Sequence, residues 1–178
     1  MNTLTKAIVS TVAALATTTP AMAGGNQGYS AHITLGQTIR STGIEFKLNP
    51  RECESGNAMG WYWAAKNEMV ICQENHIPAH GFGNEVRWTA EDLDTLRHEA
   101  QHLIQDCMDG SRQGRLSSVY KKPIELAQEV LGDRGIRSVL NMYSDASDHI
   151  KVMELEAFAV ARMNEPLVQS GDIKNYCF

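Results

Sequence analysis

Two histidines four positions apart flank a glutamate in the segment His98-Glu99-Ala100-Gln101-His102. Residues four apart on a helix lie on the same face, one turn apart, so both imidazoles can direct a ring nitrogen at one tetrahedral zinc ion. Glu99 is only one position round the helix from His98, which suits it to accept a proton from a metal-bound water and not to be a third ligand. The motif predicts a zinc site that activates water. The alternative is a solvent-facing pair of histidines on an amphipathic helix.

The segment that carries this motif has the pattern of a long amphipathic helix. Its start is predicted at Thr89, with Asp92 three positions later in the place of the usual capping-box glutamate, and its end at Asp109-Gly110. Apolar residues recur at spacings of three and four and form one stripe, which comprises Leu93, Leu96, Ala100, Leu103, Ile104 and Cys107. The motif is therefore expected on a helix with one buried face.

A catalytic zinc needs a third protein ligand and an open position for water. A second long helix is predicted over residues 148–164, and Glu154 lies near the centre of its apolar stripe. A carboxylate there is costly unless it is paired or metal-bound, whereas Glu156 lies on roughly the opposite side of the helix. Glu154 is therefore the expected third ligand. The alternative is that it pairs with a buried arginine.

Elsewhere in the sequence, the predicted strands come before the predicted helices. Residues 44–48 alternate apolar and polar side chains, and residues 61–65 and 69–72 predict an antiparallel hairpin with a tight turn at 66–67. Helices are expected from Pro123 to near Gly132 and over residues 136–143. This order predicts one α+β domain, in which an antiparallel hairpin or sheet packs on the motif helix and a helical half follows.

The first 23 residues have the composition of a secretory signal peptide. Lys6 supplies a positive charge, residues 7–16 form a short apolar stretch, and Ala21-Met22-Ala23 precedes Gly24 as a small-x-small cleavage pattern. Residues 24–178 would then be the exported domain, periplasmic or secreted. The apolar stretch is too short for the alternative, a membrane anchor, and no stable membrane insertion is expected. The net charge of −5 argues against a nucleic-acid partner.

If the protein is exported, its four cysteines are expected to form two disulfides, because an even number of cysteines in an oxidising compartment is typical of disulfide bonding. Three pairings are possible. The pairing of Cys53 with Cys72 and of Cys107 with Cys177 is favoured, since the first two flank the predicted hairpin and the last would tie down the C-terminal tail. A cysteine zinc site is the weaker alternative, because none of the four forms a Cys-x-x-Cys pair.

The zinc motif, followed further along by Glu154-Leu155-Glu156-Ala157, resembles the gluzincin metallopeptidases, especially compact single-domain ones. The resemblance implies a zincin-like fold, a zinc cofactor, a peptide or protein substrate, Glu99 as general base and Glu154 as third ligand. Phe158 is a departure, because many relatives carry an acidic or amide residue there. Gln105 and Met108 stand where the metzincin extension has glycine and histidine, which excludes that branch.

The chemistry expected from this resemblance is hydrolysis of peptide bonds, most simply by an endopeptidase. Tyr143 and His149 are candidate donors to the oxyanion, because both precede the helix of Glu154; structural or solvated roles are the alternative. An extended substrate is expected to add to an exposed sheet edge, for which residues 69–72 are the strongest strand, unless that strand is central. The rival hypothesis is a disulfide-stapled zincin-like binding or structural module without turnover. The intact Glu99 favours the enzyme.

Overall fold

The computed structural model describes residues 8–10, 27–55, 58–108, 110 and 112–178, and of residues 8–10, 27 and 28 it describes the backbone alone. Five α-helices form in this part of the chain, namely α1 (Gln27–Ser41), α2 (Ala90–Cys107), α3 (Pro123–Met142), α4 (Asp148–Met163) and α5 (Pro166–Tyr176). Together with a small sheet they confirm the predicted α+β class. Apart from residues 8–10, the predicted signal peptide lies outside the described residues.

The sheet has the strand order β1-β3-β4-β2, with β1 (Ile8–Ser10), β2 (Glu45–Leu48), β3 (Gly60–Trp63) and β4 (Glu68–Ile71). β3 and β4 pair antiparallel, which confirms the predicted hairpin. β2 pairs with β4 in parallel, so the expectation of a purely antiparallel sheet was wrong. The physical reason is that β3 does not lie beside β2 but leaves one strand position open between them, which β4 then fills. β4 is therefore central and fully buried, which makes it unavailable as an edge strand.

α2 begins at its predicted cap and lies against the sheet. The Thr89 hydroxyl accepts a bond from the backbone N–H of Asp92, and the Asp92 carboxylate accepts one from the backbone N–H of Thr89 at 2.8 Å. These reciprocal bonds satisfy two donors at the helix start. Further along, Leu96 and Leu103 pack with Met69 of β4 in the main core. Every residue of α2 from position 98 to its end is buried, which rules out a solvent-facing histidine pair.

α4 packs between α2 and the kinked helix α3. The predicted break at Gly132 is present inside α3, where that residue has a φ of 63° and a ψ of 177°. Ser147 caps α4, since its hydroxyl accepts a bond from the backbone N–H of Ile150. A second apolar cluster joins α3 and α4 and comprises Ala127, Val139, Tyr143, Leu155, Phe158 and Ala159. This packing fixes the side of α4 that faces α2.

Two helices that the sequence patterns did not predict complete the domain. α1 buries Leu35 and Ile39 against the sheet and α2, and α5 packs on both α1 and α2 through Ile173. α1 and α5 thus pack on each other and on α2.

Both favoured disulfides are present, Cys53–Cys72 and Cys107–Cys177, and no described cysteine is free. The first holds the segment before β3 to the end of β4. The second joins the end of α2 to the residue after α5. No helix among the described residues is long and apolar enough to cross a membrane.

Candidate metal centre

The three predicted ligands converge between α2 and α4. Nε2 of His98 lies 3.2 Å from one carboxylate oxygen of Glu154, and Nε2 of His102 lies 3.4 Å from the other. The two Nε2 atoms are 3.0 Å apart. All three side chains are at most 2% exposed. The carboxylate of Glu154 thus faces two imidazoles and not the buried arginine of the alternative hypothesis. The three side chains together could hold a metal ion.

The spacing of these atoms fits a tetrahedral cation. Ligand bonds of about 2.0–2.1 Å at tetrahedral angles require ligand atoms about 3.3–3.4 Å apart. The observed separations of 3.0, 3.2 and 3.4 Å differ from that requirement by a few tenths of an ångström. Two imidazoles and one carboxylate are also the donor set of known catalytic zinc sites. The residues therefore fit a divalent cation without rearrangement of the helices.

The electrostatics of the metal-free group favour an ion pair. Burial alone would lower the pKa of His102, but the charge and hydrogen bonding of Glu154 outweigh it and raise this pKa to about 9. Burial alone would raise the pKa of Glu154, but the facing imidazoles lower it to about 2. Burial lowers the pKa of His98, and the neighbouring His102 lowers it further. The proton of the site is therefore held on His102, opposite an ionised Glu154.

The predicted general base Glu99 and the departing residue Phe158 both lie beside the predicted ligands. Glu99 is fully buried, and its negative charge helps to raise the pKa of His102. The ring of Phe158 packs on the ring of His98, with centroids 4.3 Å apart and planes inclined by 58°. The ring of Phe158 thus supports the first histidine of the motif through aromatic packing.

A hydrogen-bonded cluster behind His102 was not predicted. Oε1 of Gln105 lies 2.8 Å from Nδ1 of His102, and Nε2 of Gln105 donates to Glu156 at 3.1 Å. Gln101 also donates to Glu156 at 3.1 Å. Glu156 is fully buried on the side of α4 away from Glu154. The signal in the sequence was a second pair of polar residues four apart, Gln101 and Gln105, on the buried part of α2.

The candidate oxyanion donors lie in different surroundings. Tyr143 follows α3 and is buried in the apolar cluster that also contains Phe158. His149 lies in the first turn of α4, where its Nε2 bonds the carbonyl oxygen of Leu116 at 2.9 Å. Both positions are compatible with structural roles, and their role as donors stays a prediction.

A cavity of about 150 Å³ lies on the other side of α2 from α4 and has none of the metal ligands in its lining. α1, β2 and the segment before α2 form its walls, with Arg40, Phe46, Glu85 and Trp88 among them. Glu85 accepts a bond from the indole N–H of Trp88, and the Arg40 guanidinium lies 4.3 Å from the centroid of the Phe46 ring. These charged and aromatic groups are thus engaged with one another at the rim of the cavity.

Comparison with known proteins places the chain in one family. Residues 29–178 match the family described as Domain of unknown function (DUF8637), and the chain belongs to it. No curated protein matches the chain significantly, and no solved structure does either. The match covers every residue of the metal-ligand group and both disulfides.

Proposed function

We propose that the protein is an exported zinc-dependent peptidase of gluzincin type. The observation that carries this proposal is the convergence of His98, His102 and Glu154, with ligand atoms 3.0–3.4 Å apart, next to a buried Glu99. A structural zinc site usually has a fourth protein ligand and has no use for an added carboxylate beside its histidines. The position of Glu99 one residue after the first ligand therefore favours turnover.

In this proposal the chain's own residues hold the metal, accept the proton and bind the substrate. When bound, zinc supplies a Lewis acid that polarises a carbonyl and makes water acidic near neutral pH. Glu99 accepts the proton of the attacking water and returns it to the leaving amine. Tyr143 or His149 would donate a hydrogen bond to the oxyanion.

The sheet supplies a candidate edge for an extended peptide. β4 is central, so a substrate strand would add to β3, which pairs with β1 on its outer side. β1 lies within the predicted signal peptide, and removal of that peptide would free the hydrogen-bonding groups of β3. A zincin-like arrangement of this edge above α2 is part of the proposal.

One observation favours the second candidate, a metal-binding structural module without turnover. As whole residues, His98, Glu99, His102 and Glu154 are all 0–1% exposed. Hydrolysis requires water and a carbonyl to reach the metal, whereas a metal that only stabilises the fold benefits from burial. This candidate shares the ligands with the first and differs in the role of Glu99.

Metal content and hydrolysis together separate these candidates. The mature protein is purified, its metals are quantified by mass spectrometry, and cleavage of a labelled unfolded protein is measured. We expect one zinc per chain and cleavage that Glu99→Gln reduces by at least about 100-fold without loss of metal. Glu91→Gln is the matched control, because it makes the same change on the same helix away from the ligands.

Each other outcome has a defined meaning. Bound zinc without cleavage by the wild type would refute the peptidase and support the structural module. If the protein bound a different divalent metal and still cleaved the substrate, only the identity of the cofactor in the proposal would have to be corrected. Absence of any stoichiometric metal would refute both candidates.

A further inference from the structure

Gln105 bridges the two helices that carry the metal ligands. Its side chain contacts three groups: Nδ1 of His102 at 2.8 Å, the backbone carbonyl of Met153 at 3.0 Å and the Glu156 carboxylate at 3.1 Å. Met153 directly precedes the ligand Glu154 on α4. One buried amide therefore contacts a ligand on α2 and the backbone beside a ligand on α4.

The partners of Gln105 decide how its amide is oriented. The carbonyl of Met153 and the carboxylate of Glu156 are both acceptors, so the end of the amide that faces them must be the NH₂ group, whose two hydrogens they use. The oxygen of Gln105 then necessarily faces His102 and can only accept. A ring nitrogen next to an oxygen that only accepts must carry a proton.

Glu156 is itself held in place by surrounding donors. Among the described residues, its carboxylate accepts bonds from the amides of Gln101 and Gln105, the Ser118 hydroxyl and the backbone N–H groups of Val119 and Tyr120. All five partners donate, so both oxygens of this carboxylate are used as acceptors. Rotation of the Gln105 amide would place its oxygen against this carboxylate, which is unfavourable.

We infer that Gln105, oriented by Glu156, is a positioning residue that keeps the proton of the His102 ring on Nδ1 and leaves Nε2 as the metal-binding nitrogen. The inference rests on the proposed metal site. Nε2 is the nitrogen that faces Glu154 and His98, so a proton there would block the metal. A buried partner of this kind fixes the tautomer and the ring orientation of a ligating histidine.

The sequence offers a matched pair of variants for the test. Gln105→Met and Gln101→Met make the same substitution one helical turn apart, and both remove a bond to Glu156. Only the first also removes the contacts with the His102 ring and with the carbonyl of Met153, so the nitrogen spectra described below are needed to assign the effect to His102. Zinc affinity is measured by competition with a chelator. We expect Gln105→Met to weaken binding by about 10–100-fold and Gln101→Met to weaken it far less. Equal losses in the two variants would overturn the inference.

A spectroscopic measurement on the wild type does not depend on how the variants fold. Two-bond ¹H–¹⁵N spectra of the zinc-loaded protein are expected to show His102 with a protonated Nδ1 and a metal-bound Nε2. A metal-bound Nδ1 would overturn the inference. If the wild type took up no metal, the proposed function would fail, and the same spectra of the metal-free protein at alkaline pH would still report the tautomer of His102. A neutral ring with its proton on Nε2 would then overturn the role of Gln105.

Discussion

The metal-free protein is expected to lose stability as the pH rises. The reason is that His102 loses its proton, and its ion pair with Glu154 is lost with it. The folded-state pKa of His102 is about 9, above the ordinary value of 6.5, so folding favours the protonated ring. A raised pKa contributes stability that is fully present below pH 6.5 and is lost as the pH rises through 9. Glu154, with a pKa lowered to about 2, contributes fully above pH 4.5 and loses its contribution as the pH falls through 2.

The free energy of unfolding that is lost at alkaline pH can be calculated from the change in the pKa of His102 on folding. The difference between about 9 when folded and 6.5 when unfolded corresponds to about 3 kcal/mol, at about 1.4 kcal/mol per pKa unit. The shifts of His102 and Glu154 describe the same ion pair, so their energies are not added. The stabilisation is complete only between pH 4.5 and 6.5.

Urea unfolding of the metal-free protein tests this reasoning. The free energy of unfolding is measured with a chelator present between pH 6.5 and 10, for the wild type and for Glu154→Gln. Relative to the variant, the wild type is expected to lose about 3 kcal/mol over this range. Glu154→Gln removes the charge that contributes most to raising the pKa of His102, and Glu99 and the other titrating groups are the same in both proteins. Parallel curves for the two proteins would refute the ion pair.

Three further predictions concern the elements that hold the site. Thr89→Ala removes the cap of α2 and should cost about 1 kcal/mol of unfolding free energy, measured in urea. Gly60→Ala places a Cβ 2.7 Å from the carbonyl oxygen of Val70 and should cost about 1–3 kcal/mol, visible as a lower melting temperature. Replacing Cys107 and Cys177 by alanine opens a loop that spans 70 positions and should cost about 4 kcal/mol in urea unfolding, against about 3 for the 19-position loop of the other disulfide. A larger loss from opening the shorter loop would contradict this account.

The sequence was most informative where local chemistry determines local structure. The start of α2 was predicted from Thr89 and Asp92, because a capping box is formed by residues three positions apart. Gly132 interrupts α3 through its own backbone conformation. Glu154 was expected to be the third ligand because a carboxylate in an apolar stripe needs a partner, and the structure shows that its partners are His98 and His102. The first two signals and their consequences lie within about one helical turn. The meeting of Glu154 with these two histidines is a contact between two helices, and it was expected from the cost of burying a charge without a partner.

Features that depend on distant contacts were missed. α1 has serine, threonine and glycine at many positions and few apolar residues, and α5 has almost no one-sided pattern, so both are stabilised mainly by packing. The parallel pairing of β2 with β4 depends on a strand that arrives later in the chain. The role of Glu156 depends on the donors at residues 118–120 and on α2, and no spacing within α4 reveals them.

The disulfide between Cys107 and Cys177 determines what a proteolytic nick could do to the protein. The two ligand-bearing helices are joined by residues 108–147, and the described parts of that stretch include connectors of the kind that proteases cut. A cut there would leave the fragment with α2 covalently bonded to the fragment with α4 and α5. The two pieces would migrate as one band on a gel without reductant and as two bands with it.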